Sequence, residues 1–317
     1  RTAGKNNQTS GQMDRITADQ VDYIEIIRGT SGELDVRGSS QVVNVVLFEE
    51  LVSNSLSFEA NVDRYLDHNT APGGSLAYSG QNGGLNYVLS ATAEPRYDHR
   101  VSKETSVLGD FSLNDEVREE RIREQDSYDL SINLDYEIGL KSSARLNALY
   151  SQNDNPTDVL RYTTDFRVSP SATAIEREEI PGNRDNWEIG GDYEYVTNSG
   201  SRFKFLFISN RNDGASTRER FDVLVDGSAS KNLFLDLAST TTERIVRASF
   251  TTAFLEDQDI EFGAERAQTT LDSSLALGLP DSTGTPTADF GGLVPQNVSN
   301  ANSTVEEIRL EPFIIHN

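Results

Sequence analysis

The sequence predicts an all-β chain, mainly antiparallel, with about ten strands in one large sheet. Three observations lead there. Apolar residues recur at every second position, most clearly where Tyr128, Leu130, Ile132, Leu134, Tyr136 and Ile138 alternate with Asp129, Ser131, Asn133, Asp135 and Glu137. A period of two puts one set on each face of a strand, whereas a helix would need a period of 3.6. Such runs are joined alternately by tight turns and by polar stretches of roughly 30 residues. No apolar run approaches the ~18 residues that a transmembrane helix requires.

Taken in order, residues 1–15 are polar, and Ile16 to Val21 suits a single helical turn. A strand from Tyr23 to Ile27 and a β-branched run, Val42 to Val46, flank a connection rich in Gly, Ser and Asp. Gly29 and Gly38 bracket that connection, where a positive φ favours glycine. Leu56, Phe58, Ala60 and Val62 open the alternating series, followed by Leu76–Tyr78, a Gly80–Gly84 turn, and Leu85 to Ala93. The 128–138 strand returns through Gly139-Leu140-Lys141 into Ala144–Tyr150. Trp187 to Tyr195, Phe203 to Phe207, Val246 to Phe254, Ile260 to Ala264 and Val305 to Ile314 complete the set. Residues 97–126, 152–185, 211–240 and 273–303 are expected to be long loops, the third with a hairpin of its own.

This rhythm fits a transmembrane barrel, which pairs short turns on one side with long loops on the other. A water-soluble antiparallel sheet with aromatic cross-strand pairs accounts for the alternation as well. Tyr87, Tyr128, Tyr136, Tyr150, Trp187, Tyr193 and Tyr195 cluster near strand ends, as rings at a bilayer interface do. The chain carries 28 basic and 51 acidic side chains, a net charge of −23. That balance argues against nucleic acid as a partner, since phosphate binding rests on Lys and Arg. With no cysteine, disulfides, thiolate metal sites and cysteine nucleophiles are excluded.

His68, His99 and His316 stand apart and match no metal-ligand spacing. The run from Asp115 to Glu124 lacks the spacing of a calcium loop and reads as a solvated, salt-bridged extension. No Ser/His pairing suggests a barrel lipase. Catalytic residues, metal ligands and cofactors are accordingly not expected. On the polar strand face, Asp129, Asp135, Glu137, Asp192, Glu194 and Glu261 would line the lumen of a barrel, because facing lipid they would be costly.

Ile24-Glu25-Ile26-Ile27-Arg28-Gly29 followed by Val42-Val43-Asn44-Val45-Val46 resembles the C-terminal half of the plug domain of TonB-dependent outer-membrane receptors. That family's pattern is I-E-x-I-R-G, then a glycine pair and a V-I-N-I core. Here Thr30 stands where the family has proline, and Ser40-Gln41 where it has the glycine pair. Gly29, Gly38 and Asn44 occupy plug-motif positions. The resemblance covers about 30 residues.

The resemblance implies a partial transmembrane β-barrel, an open curled sheet, preceded by a small α/β plug remnant. Residues 1–48 would be the C-terminal part of the plug and 49–317 the N-terminal part of the barrel, an internal fragment truncated at both ends. Residues 16–47 are expected to lie against the concave face. The implied function is active uptake of a scarce ligand, such as a ferric siderophore, across a bacterial outer membrane. Its partners would be outer-membrane lipid and a TonB-type energising complex, the latter engaged through an N-terminal box outside this sequence. Arg28 falls at a plug–barrel ion-pair position, with Glu25 as a local partner. The alternative reading is an all-β cell-surface protein, carbohydrate-binding or adhesin-like, with the apolar face buried against a second sheet.

Overall fold

The computed structural model describes residues 21–27, 42–47, 54–255, 258–299 and 301–316. These form two antiparallel sheets, one of two strands and one of 14. The small sheet pairs β1 (Val21–Ile27) with β2 (Val42–Leu47). Among the described residues there is no α-helix, and Val21 begins a strand. The described part of the segment expected to be an α/β remnant is an antiparallel strand pair, as its β-branched runs favour, and the helical turn expected before Val21 lies outside the described residues. Among the described residues β1 and β2 pair only with each other, and Tyr23 and Ile24 are exposed; most of the 16–47 segment expected against the concave face lies outside the described residues.

The large sheet begins with β3 (Ser55–Arg64), β4 (Thr70–Asn82), β5 (Leu85–Ala93), β6 (Arg96–Val107) and β7 (Leu113–Glu137). It continues through β8 (Ser142–Asp154), β9 (Thr157–Asp165), β10 (Ala172–Ile180), β11 (Gly182–Val196) and β12 (Arg202–Val223). Last come β13 (Ala229–Leu255), β14 (Gln258–Leu279), a 3-10 turn at Ala288–Phe290, β15 (Val294–Gln296) and β16 (Ser303–His316).

Several of these labels are halves of one longer strand. β5 and β6 both pair with β7, from Leu85↔Tyr136 up to Val107↔Leu113. β8 and β9 likewise share β7, and β10 and β11 share β12. The breaks fall at Pro95, Pro156 and Pro181, where the ladder loses a donor. Flanking bonds carry the ladder across. Glu124 N–H donates to the Pro156 carbonyl at 3.1 Å, and Thr217 N–H to that of Pro181 at 3.0 Å. Joined this way, the sheet runs β3, β4, β5–β6, β7, β8–β9, β10–β11, β12, β13, β14, β16. The outermost strands, β3 and β16, pair on one side only.

The stretches expected to be loops at 97–126, 152–185 and 211–240 are therefore mostly strand. They form β6 with the first half of β7, the end of β8 with β9 and β10, and the far halves of β12 and β13. The hairpin expected within 211–240 is there, as the paired far ends of β12 and β13, whereas in 97–126 and 152–185 the alternation is too weak to show the strands because most residues on both faces are polar. Only 280–302 stays largely irregular, and Lys231 pins it by donating to the Gly291 carbonyl at 3.1 Å. The short turns at 139–141 and 197–200 fall where read, the one read at Gly80–Gly84 narrows to Gly83-Gly84 because β4 runs on to Asn82, and residues 256–257 of the fourth lie outside the described residues. Gly83, Gly139 and Gly200 take the left-handed conformation, with φ of 62°, 69° and 86°.

Register sorts the two faces. One row runs Phe58, Leu76, Ala91, Leu130, Tyr150, Trp187 across neighbouring strands, and another Tyr195, Phe203, Phe250, Phe262, Ile314. This apolar face is open: Leu130 is 54% exposed and Ile132 42%. The opposite face holds the polar groups that are buried, among them Ser131, Glu178, Glu188, Asp192, Asn210 and Glu243. Burial is thus the reverse of that in a water-soluble domain. The second sheet demanded by a sandwich is not found over Leu130 among the described residues.

Candidate functional site

The polar face is where the chemistry gathers. Its side chains alternate with the apolar ones, so each long strand brings a column of charged and amide groups to it. Arg145 of β8 donates to Asp192 of β11 from Nε at 3.1 Å and Nη2 at 2.9 Å. Asp135 of β7 is Arg145's register partner on the other side. Glu194 lies 3.5 Å from Arg202 and 3.9 Å from Lys204, and Glu261 lies 3.8 Å from Arg247. Asn210 donates to Glu243, 2% exposed, at 3.0 Å.

Of the six acids expected on this face, Asp192 is buried, Asp129, Asp135, Glu194 and Glu261 are half-buried, and Glu137 is exposed. All six share the parity opposite to Leu130 and Phe262. Several carry cations of their own within the sheet. That is how an acidic face can be buried at all, since an unpaired buried charge would neutralise instead. Arg28, Gly29 and Gly38 lie outside the described residues. Glu25 and Asn44 are cross-strand partners in the β1–β2 hairpin.

The pairing continues past the apolar rows into the extension formed by β6, the first half of β7, β9, β10 and the far end of β12. Arg218 binds Glu178 through two bonds, at 3.0 and 2.7 Å, and Glu178 is 2% exposed. Arg161 donates two bonds to Glu119, at 3.1 and 2.7 Å, and also reaches Glu176 at 3.4 Å. The extension is held together by cross-strand ion pairs and backbone ladder rather than by apolar packing. The Asp115–Glu124 run contributes Glu119 to Arg161 and Glu116 to Lys103, at 2.7 and 2.9 Å.

A second cluster sits on the other face of β6. His99 lies between two carboxylates, Nδ1 2.9 Å from Asp67 and Nε2 2.8 Å from Glu120. Ionised carboxylates only accept, so both ring nitrogens must donate, which makes the ring an imidazolium. The bonds to Asp67 and then Glu120 raise the His99 pKa. Tyr97 donates its hydroxyl to the same Asp67, and this lowers the Asp67 pKa. The Tyr97 N–H donates to the Tyr65 hydroxyl at 3.2 Å, and the two rings meet edge to face. The cluster ties the β3–β4 turn to the flank of β6. Sequence spacing gave no hint of it, because His99 and Asp67 meet only once β4 and β5 have paired.

Among the described residues no group of His, Cys, Asp or Glu is arranged to hold a metal ion. No known family model, curated protein or solved structure matches this chain.

Proposed function

We propose that this chain is part of a TonB-dependent outer-membrane receptor, carrying the end of its plug and about ten strands of its barrel. The observation that supports this most is the reversed burial. Each of ten consecutive strand positions exposes Leu, Ile, Phe, Tyr or Trp side chains on one face, while carboxylates and amides are enclosed on the other. Lipid is the solvent in which that arrangement is favourable. Side chains converge on the concave side of a curled sheet, so a polar concave face would be the less exposed one, as here.

Tyr128 and Tyr136 bound the apolar column of β7, and the span between them has the ~9–11-residue length of a tilted strand that crosses a bilayer. At 25 residues, β7 is far longer than the ~9–11 residues that cross a bilayer. Its first half would stand outside the membrane with its neighbours as a tall polar wall. On this reading the function is uptake of a scarce ligand, such as a ferric siderophore, driven by a TonB-type complex acting on the plug. Arg28 would seat the plug through a carboxylate of the barrel.

The test is incorporation into lipid. Chain refolded in the presence of outer-membrane-like vesicles should float with them and keep its strand circular dichroism. Proteolysis should spare the 128–150 and 187–209 segments. A monomer that stays soluble without detergent or lipid, with the same strand content, would rule the membrane reading out.

A further inference from the structure

We propose that Arg100, Arg121 and Arg123, on the polar face of the β6–β7 hairpin, form a binding site for a multivalent oxyanion. Register places Arg100 directly opposite Arg121, and Asp98 opposite Arg123. By alternation these residues share a face with Glu119 and Asp129. Like charges directly opposite each other on one face destabilise a sheet, and this pair occurs in a chain of net charge −23.

Neighbouring arginines on the same face are matched with glutamates. Arg161 has Glu119 and Glu176, Arg218 has Glu178, and Arg220 has Glu176. At the β6–β7 position the acid runs short. Asp98 is taken by Arg100 at 3.1 Å, and Glu119 by Arg161. Arg121 and Arg123 pair with no carboxylate among the described residues. Among the described residues Arg123 donates to the Thr157 hydroxyl, at 3.3 Å.

Thr157 and Val159, the β9 partners of Arg123 and Arg121, are both buried, so the two guanidinium stems have a closed wall on that side. Cross-strand and next-but-one positions on one face are about 5–7 Å apart. Three guanidinium forks can therefore reach separate oxygens of one ligand. Each fork matches a planar carboxylate or a phosphate. An anion with several such groups would relieve the repulsion that the sheet otherwise bears. Its identity as the imported ligand rests on the receptor reading above, whereas the site itself depends only on the hairpin.

Titration calorimetry of the full chain in detergent micelles, with citrate and pyrophosphate as separate probes, tests this. At least one should bind at low salt, and the stronger of the two identifies carboxylate or phosphate as the preferred group. Arg121→Gln and Arg123→Gln should each weaken binding about tenfold. Arg211→Gln, which removes a guanidinium paired with Asp213 on the opposite face, should leave binding unchanged. Absence of binding by either probe at millimolar concentration, or an equal loss in Arg211→Gln, overturns the proposal. Vesicle flotation of the same preparations separates the two readings. Insertion without anion binding removes only the site, and anion binding without insertion removes only the receptor.

Discussion

Arg145 of β8 turns its Nε and Nη2 onto a single oxygen of Asp192 on β11, at 3.1 and 2.9 Å. The two ends of this pair differ in environment. The Asp192 side chain is almost fully enclosed, whereas that of Arg145 is close to half exposed. Arg145→Ala leaves an enclosed carboxylate with no cation and should cost about 1–3 kcal/mol. Asp192→Asn removes the charge but keeps the shape, leaves a half-exposed guanidinium near Asp135, and should cost less. Urea midpoints of the refolded protein in lipid give the order. A larger loss for Asp192→Asn would mean that Asp192 is not the group stabilised here.

The two faces of β7 give the second prediction. Ile132 lies midway between Tyr128 and Tyr136 on the apolar side, and Asn133 is its neighbour on the polar side. Ile132→Arg in lipid should cost about 2–4 kcal/mol, with Asn133→Arg much milder. Equal costs in a refolding titration would count against the assignment of lipid to the Ile132 face.

The clamp at His99 should respond to pH. Its pKa is raised by Asp67 and Glu120, so its stabilisation is complete below the ordinary histidine value of 6.5. That contribution is lost as pH rises through the higher folded value. The Asp67 pKa is lowered by Tyr97, so its contribution is present above 3.8 and is lost only as pH falls through the lower folded value. The β3–β4 turn should therefore be held most firmly between these limits and loosen in alkali. Hydrogen exchange at the Tyr65 and His68 amides, corrected for intrinsic rates, reports the loosening. His99→Gln should flatten the profile, and an unchanged profile would remove histidine from the explanation.

Close packing on the polar face gives the fourth. A β-carbon at Gly263 of β14 would meet the Ala248 carbonyl oxygen and stand 2.6 Å from Phe313 Cζ. The Phe313 ring is itself covered by the Arg247 guanidinium, 4.3 Å from its centroid. Gly263→Val should thus cost about 1–3 kcal/mol through displaced backbone and ring. At Gly214 of β12 the nearest atom is 3.7 Å away, and Gly214→Val should be tolerated. Thermal midpoints of the two variants, measured side by side, decide whether strand contact or glycine itself is what matters.

The sequence by itself determined the all-β class, the tight turns at Gly83, Gly139 and Gly200, and the separation of Leu130 and Phe262 from Asp129 and Glu261. These are local properties: a period of two and a positive φ are set by neighbours along the chain. It also contained, unread, the strands of 97–126 and 152–180, because a ladder whose two faces are both mostly polar leaves too weak a periodicity to find. Only the tertiary structure decided which charges meet. Arg145 and Asp192, and Arg100 and Arg121, are brought together by inter-strand register, and the β3–β4 turn carries Asp67 to His99. Register is a sum of backbone bonds and side-chain contacts over whole strands, and a shift of one residue would send every one of these groups to the other face.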